Sequence, residues 1–139
     1  MELPSVERTT DGRRVVVSRG VEADRDDVWE LLRDTDRWPA WGPSVSDVRA
    51  SERVIESGTT GEIQVAGGPW VPFEIATCED YRWTWRVAKI PATGHRVDAA
   101  PGGCRVVFEV PLAAAGYAVV CERALSRIER IATDGATGD

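Results

Sequence analysis

Trp38-Pro39-Ala40-Trp41 and Trp83-Thr84-Trp85 place four of the chain's six tryptophans in two tight pairs. An indole offers a large flat apolar surface and a single N–H donor that needs a partner once buried. Rings grouped this way suit the wall of a pocket for an apolar or partly aromatic molecule. The competing reading is a well-filled core, although Trp is seldom buried completely.

Polar chemistry is sparse beside them. His95 is the only histidine. Its ordinary pKa would suit a general base, but no nucleophile or partner stands near it in sequence. A hydrogen-bonding residue of a strand edge or cavity is the alternative. Tyr117 has the reach to orient a ligand oxygen or to act as a core phenol. Cys78, Cys104 and Cys121 are isolated and odd in number, without metal or disulfide spacing. Cys121 reads as a small buried apolar residue. One histidine and unpaired cysteines cannot supply a conventional zinc set, so no metal or other cofactor is expected. Gly67-Gly68 and Gly102-Gly103 make no phosphate-binding loop and read as hairpin turns.

Composition narrows the partners. The 139 residues carry a formal net charge of −6 and no basic tract, which disfavours nucleic acid and anionic membranes. The chain shows neither a signal-peptide pattern nor an apolar run long enough to span a bilayer, so a cytoplasmic protein without membrane insertion is expected. The length suits one domain.

Periodicity supplies the elements that must position these side chains. Alternation predicts strands over 14–21, 44–56, 61–66, 70–78, 81–88, 95–99 and 104–110. In the fifth, Tyr81, Trp83, Trp85 and Val87 share one face, and Arg82, Thr84 and Arg86 the other. If the tryptophans face inward, the arginines face solvent; with reversed parity they would receive a carboxylate or phenolate. Glu74 and Glu109 read as outward positions. A helix is expected over 24–33 with Asp24 as N-cap, and a short second one capped by Asp36 and carrying Trp38 and Trp41. Residues 90–94 read as a turn. From 112 to about 133 the period becomes helical, with Tyr117, Cys121, Ala124, Leu125, Ile128 and Ile131 on one stripe. Residues 1–13 are expected to be a flexible segment, 14–133 the domain, and 134–139 a flexible tail. This order suits an α+β architecture, an antiparallel sheet packed against the last helix.

The order also resembles the START-like superfamily, called Bet v 1-like or SRPBCC, and within it the polyketide cyclase/dehydrase-like proteins. The resemblance is carried by Val15, Glu22-Ala23, Val28-Trp29, Leu31-Leu32, Asp34, Trp38-Pro39-Ala40-Trp41 and Pro43, followed by the long terminal helix. It implies a helix-grip fold: a curved antiparallel sheet wrapped around the C-terminal helix, with two short helices after the first strand and a cavity between. It further implies that Trp38, Trp41, Phe73, Trp83, Trp85, His95, Phe108, Tyr117 and Cys121 line that cavity. The expected function is binding or carriage of a small hydrophobic or aromatic molecule, by a monomer or homodimer. The alternatives are a polyketide aromatase/cyclase or dehydratase, with His95 and Tyr117 as candidate catalytic groups, and a stress-response or regulatory protein-interaction domain.

Overall fold

Alternating strand sequences and two helical stripes come together in the computed structural model, which describes residues 3–136. The strands are β1 (Ser5–Thr9), β2 (Gly12–Val21), β3 (Val45–Ala50), β4 (Thr60–Val65), β5 (Trp70–Glu79), β6 (Arg82–Val87), β7 (Ile90–Ala100) and β8 (Gly103–Pro111). The helices are α1 (Arg25–Arg33), α2 (Trp38–Trp41) and α3 (Ala118–Ala136). All strands join one curved antiparallel sheet in the order β1-β2-β8-β7-β6-β5-β4-β3. The sheet grips α3, and α1 and α2 close its other end, as the helix-grip expectation required.

Local sequence explains where the helices begin and end. Asp24 caps α1 by accepting the Asp26 backbone N–H at 2.8 Å, which satisfies one of the orphan donors of the first turn. Val28, Leu31 and Leu32 form its buried face. Asp34, rather than Asp36, caps the following 3-10 turn, Thr35–Arg37, accepting the Asp36 N–H at 3.0 Å. Pro39 sits in the first turn of α2, where its missing N–H costs nothing.

Several boundaries differ from the sequence expectation. The N-terminal segment expected to be flexible includes β1, hydrogen-bonded to β2 from Ser5 opposite Val16 to Thr9 opposite Gly12. The 44–56 strand stops at Ala50. The chain then leaves the sheet, because Arg53 and Ile55 carbonyls are drawn to Thr35 and Arg33 instead. The turn expected at 90–94 lies earlier: Val87 pairs with Ile90 across Ala88 and Lys89, both with positive φ, and β7 runs on through 90–94 with a register shift between the Pro91 and Gly94 pairings. Tyr81 shares a similar two-residue turn with Asp80 rather than lining the inner face of β6. Its ring packs on Trp29, and its hydroxyl hydrogen-bonds Asp26. Residues 112–117 form a 3-10 segment with a kink at Ala114, so α3 starts late, beyond Gly116. α3 runs to Ala136, into the 134–139 stretch expected as a tail, and the residues beyond 136 lie outside the described ones.

The convex face of the sheet carries its own buried charge. Arg82 is on the face away from the tryptophans, yet it is not simply solvated. It grips Glu109 at 2.7 Å, and Arg96 grips the same carboxylate at 2.6 Å. Asp11, from the β1–β2 turn, bonds Arg82 at 2.9 Å. Glu109 therefore points outward but is only 1% exposed, which corrects the expectation of a plain surface residue. Burial would push its carboxyl up, but the two guanidiniums hold it below the usual range. Gly94 pairs with Glu109 across the sheet; a Cβ there would stand 2.9 Å from the carboxylate. The glycine read as a turn signal is thus the space that admits the carboxylate.

Removing the carboxylate charge leaves two facing guanidiniums without their common partner. Glu109→Gln should lower stability by about 2 kcal/mol, less than for a fully dry pair because both arginines keep some solvent. Arg86→Gln, which loosens only a surface pair with Glu74 at 3.8 Å, should cost under about 0.5 kcal/mol. Chemical denaturation of both variants checks the contrast; equal losses would remove the special status of Glu109.

Candidate functional site

The inner face of the sheet meets α2 and α3 through stacked rings. Trp38 lies flat against Trp83, with centroids 5.3 Å apart and planes within 6°. Trp38 Nε1 donates to the Leu32 carbonyl at 2.9 Å, which fixes its ring from the α1 side. Trp85 meets both rings edge-on at 5.5 Å. On the far side of Trp83, His95 stacks at 3.8 Å, and Phe108 closes on His95 at 4.8 Å. The spacing follows from register: Trp83 pairs with His95, and His95 with Phe108, so the rings form a row across three strands.

This packing leaves two spaces of different kind that share five lining residues. The inner one has a cavity volume of about 40 Å³ and is lined by Trp38, Trp41, Trp83, Trp85, His95, Phe108, Tyr117 and Cys121, among others. Eight of the nine expected residues are thus brought together. Phe73 does not reach it; its ring packs behind Trp38 and Trp85 at 5.4 and 5.7 Å. The space is far smaller than a ligand cavity, because the indoles occupy most of the grip. The outer one, about 440 Å³, is an open groove lined by Val45, Ile63, Val65, Val87, Ile90, Val110 and the Ala113-Ala114 kink. Ser44, Val45, Trp85, Thr93 and Tyr117 border both. Between them the hydroxyls of Ser44 and Tyr117 hydrogen-bond, tying the segment before α3 to the loop after α2.

The polar inventory of the inner space is short. Trp85 Nε1 donates to Thr93 Oγ1 at 3.1 Å, and the same hydroxyl lies 3.0 Å from His95 Nε2. Trp41 Nε1 and Trp83 Nε1 are sealed from solvent and have no hydrogen-bond partner among the described residues. Burial pushes the His95 pKa down to about 3, against the pull of the Trp83 backbone carbonyl, so the ring is neutral at neutral pH. Burial likewise raises Tyr117, and pushes the Cys121 thiol up to about 12. All three titratable groups of the lining are uncharged near pH 7. None has the depressed thiol or raised acid expected of an activated catalytic group. Among the described residues no group of His, Cys, Asp and Glu side chains is placed to hold a metal ion, and no helix is long and apolar enough to cross a membrane.

Two polar residues that border both spaces escaped the sequence reading. Thr93 was assigned to a turn, although it precedes His95 by two positions and so shares its face once the strand is extended. Ser44 carried no signal beyond following Pro43; only the tertiary fold sets it against Tyr117.

Comparison with known proteins agrees with this architecture. The XoxI protein of Bacillus cereus superposes with a TM-score of 0.65 at 12% identity, covering 86% of this chain and 94% of that one. The di-domain ARO/CYC StfQ from the steffimycin biosynthetic pathway gives 0.66 at 12% identity, over 88% of this chain and 51% of that one. An AHSA1-like protein of Aeromonas hydrophila gives 0.64 at 15% identity, over 90% and 95%. At such identities the likeness is one of fold. The uncharacterized protein Rv2574 of Mycobacterium tuberculosis is 29% identical over 100 residues, 66% of this chain, and the chain spans only 60% of that relative's length. The sequence model described as polyketide cyclase / dehydrase and lipid transport matches residues 12–134. From β2 to the last turns of α3, then, this chain belongs to the polyketide cyclase/dehydrase and lipid-transport family, with the SRPBCC helix-grip fold.

Proposed function

We propose that this chain binds a small, uncharged, largely apolar molecule, with its ring or hydrocarbon body in the outer groove and one end directed toward the tryptophan-lined interior. The observation that carries this reading is the 440 Å³ groove, whose walls are mostly apolar and which opens beside the ring stack. A volume of that size accommodates a two- or three-ring compound. The inner space alone does not. Apolar burial would drive binding at roughly 25 cal/mol per Å² removed from water, before the cost of immobilising the ligand. The uncharged lining disfavours carboxylates and ammonium groups, which would lose hydration without a counter-charge.

Cyclase or dehydratase chemistry is the second reading, favoured by the family's description and by the aromatase/cyclase named in the StfQ structure. In that case the groove would act chiefly by holding a flexible chain folded. His95 is a poor proton acceptor at a pKa of about 3, so a rate contribution from it would rest on hydrogen bonding and position rather than on basicity.

Native mass spectrometry of protein purified without detergent should show a stoichiometric apolar adduct, or one that forms on adding two- and three-ring aromatic probes. Ala114→Trp, at an exposed position of the groove wall, should weaken probe binding at least about tenfold by filling space while leaving the thermal midpoint within a few degrees. Absence of any adduct or tryptophan-fluorescence response across the probe set would sink the binding reading.

The neutral His95 makes a separate prediction. Its pKa is depressed on folding, so between about pH 6.5 and 3 the unfolded chain binds a proton that the folded one does not. The stabilisation is fully present above pH 6.5 and is lost as pH falls. Stability should decline by about 1.4 kcal/mol per unit once well below pH 6.5. Denaturant titrations between pH 7 and 5 measure the slope before most carboxylates protonate. It should flatten in His95→Gln, since no other histidine is present; an unchanged slope would show that His95 is not buried neutral.

A further inference from the structure

Indole N–H groups are donors only. Leaving one buried without an acceptor costs free energy, and natural cores rarely tolerate it. Here the exception occurs twice in one place. Trp41 is 6% and Trp83 is 1% exposed, both line the inner space, and neither Nε1 has a partner. The other two tryptophans of the stack are satisfied, Trp38 by a carbonyl and Trp85 by the Thr93 hydroxyl. The unmet indole donors thus belong to two of the four tryptophans that line the inner space.

Water answers that need poorly. About 40 Å³ holds roughly one or two water molecules. Each would bring its own donors into a lining where Thr93 Oγ1 already faces Trp85 and His95, and the Ser44 and Tyr117 hydroxyls already face each other. A carbonyl oxygen brings two acceptor lone pairs and no donor. It also carries no net charge, in keeping with the neutral lining.

We infer that the inner space is a donor pocket for the carbonyl oxygen of the ligand, so that the molecule enters carbonyl-first and leaves its hydrocarbon rings in the outer groove. This rests on the binding reading above and names its ligand class: aryl ketones, quinones and related aromatic carbonyl compounds, in preference to hydrocarbons or phenols of the same shape. Ser44 and Tyr117, whose hydroxyls hydrogen-bond each other, border both spaces.

A matched pair of probes tests this: 2-acetylnaphthalene and 2-isopropenylnaphthalene, which differ by C=O against C=CH₂. A plain apolar slot should favour the hydrocarbon by at least about tenfold, since the ketone must shed its hydration. A donor pocket should bring the ketone to equal or tighter binding. In ¹⁵N-labelled wild-type protein the ketone, and not the hydrocarbon, should move the Trp41 and Trp83 indole N–H proton signals downfield. Trp41→Phe and Trp83→Phe should each weaken the ketone several-fold and the hydrocarbon less than about twofold. Tighter hydrocarbon binding with unmoved indole signals would overturn the donor pocket and leave the groove reading intact. Indole signals already downfield in the free protein and unchanged by ketone would assign the space to bound water and also overturn it. Failure of both probes to bind would remove the groove reading as well.

Discussion

The flat contact between Trp38 and Trp83 is the joint on which the molecule turns. Trp38 belongs to a four-residue helix too short to be stable alone. It is held by its N–H bond to Leu32 on one side and by the sheet on the other. That single ring connects α1, α2 and the centre of the sheet. With Trp85 against both rings and His95 stacked beyond Trp83, the usual interior of the fold is occupied by the protein's own aromatics. The larger open space lies outward, in the groove between the 3-10 segment before α3 and the β3–β4 and β6–β7 strands.

Much of this was legible because it rests on periodicity. Trp83 and Trp85 alternate with Arg82 and Arg86, so their faces follow from the pleat alone, and Cys104, Val106, Phe108 and Val110 do the same on β8. Asp24 announced the start of α1 by its side-chain chemistry. What escaped had tertiary causes. Gly94 looked like a turn because glycine usually marks one, but here it makes room for Glu109 across the sheet. Ala88 and Lys89 adopt positive φ without being glycine or asparagine, so the true turn carried no composition signal. β1 has too little apolar alternation to stand out and is recruited by β2. The eight cavity residues were legible as a set, whereas the size of the cavity was not: sequence places rings on a face but does not tell whether they line a space or fill it.

Both faces of the sheet solve the problem of buried polarity, and they solve it differently. On the convex side, Glu109 is matched by Arg82 and Arg96, with Asp11 and Asp98 completing the charge pattern. Low dielectric makes such a set rigid when every member is paired. On the concave side, the polar atoms are few, neutral and partly unmatched. The first arrangement ties β6, β7 and β8 together from outside; the second leaves two indole donors unmatched.

The ring stack also bears on how such a chain can change over generations. Pocket volume and folding stability are drawn from the same atoms at Trp38, Trp83 and Phe108, so a substitution that widens the interior also removes core packing, at about 3–5 kcal/mol for a large aromatic cut to alanine. Proteins stand only slightly above their stability threshold, which closes that route to new ligand preference. The groove wall is under no such tie: Ala113, Ala114 and Ile90 are exposed and can vary in bulk with little loss of core. Divergence in what related chains accept should therefore accumulate along the 3-10 segment and the β6–β7 turn, while the aromatic interior is inherited as a block.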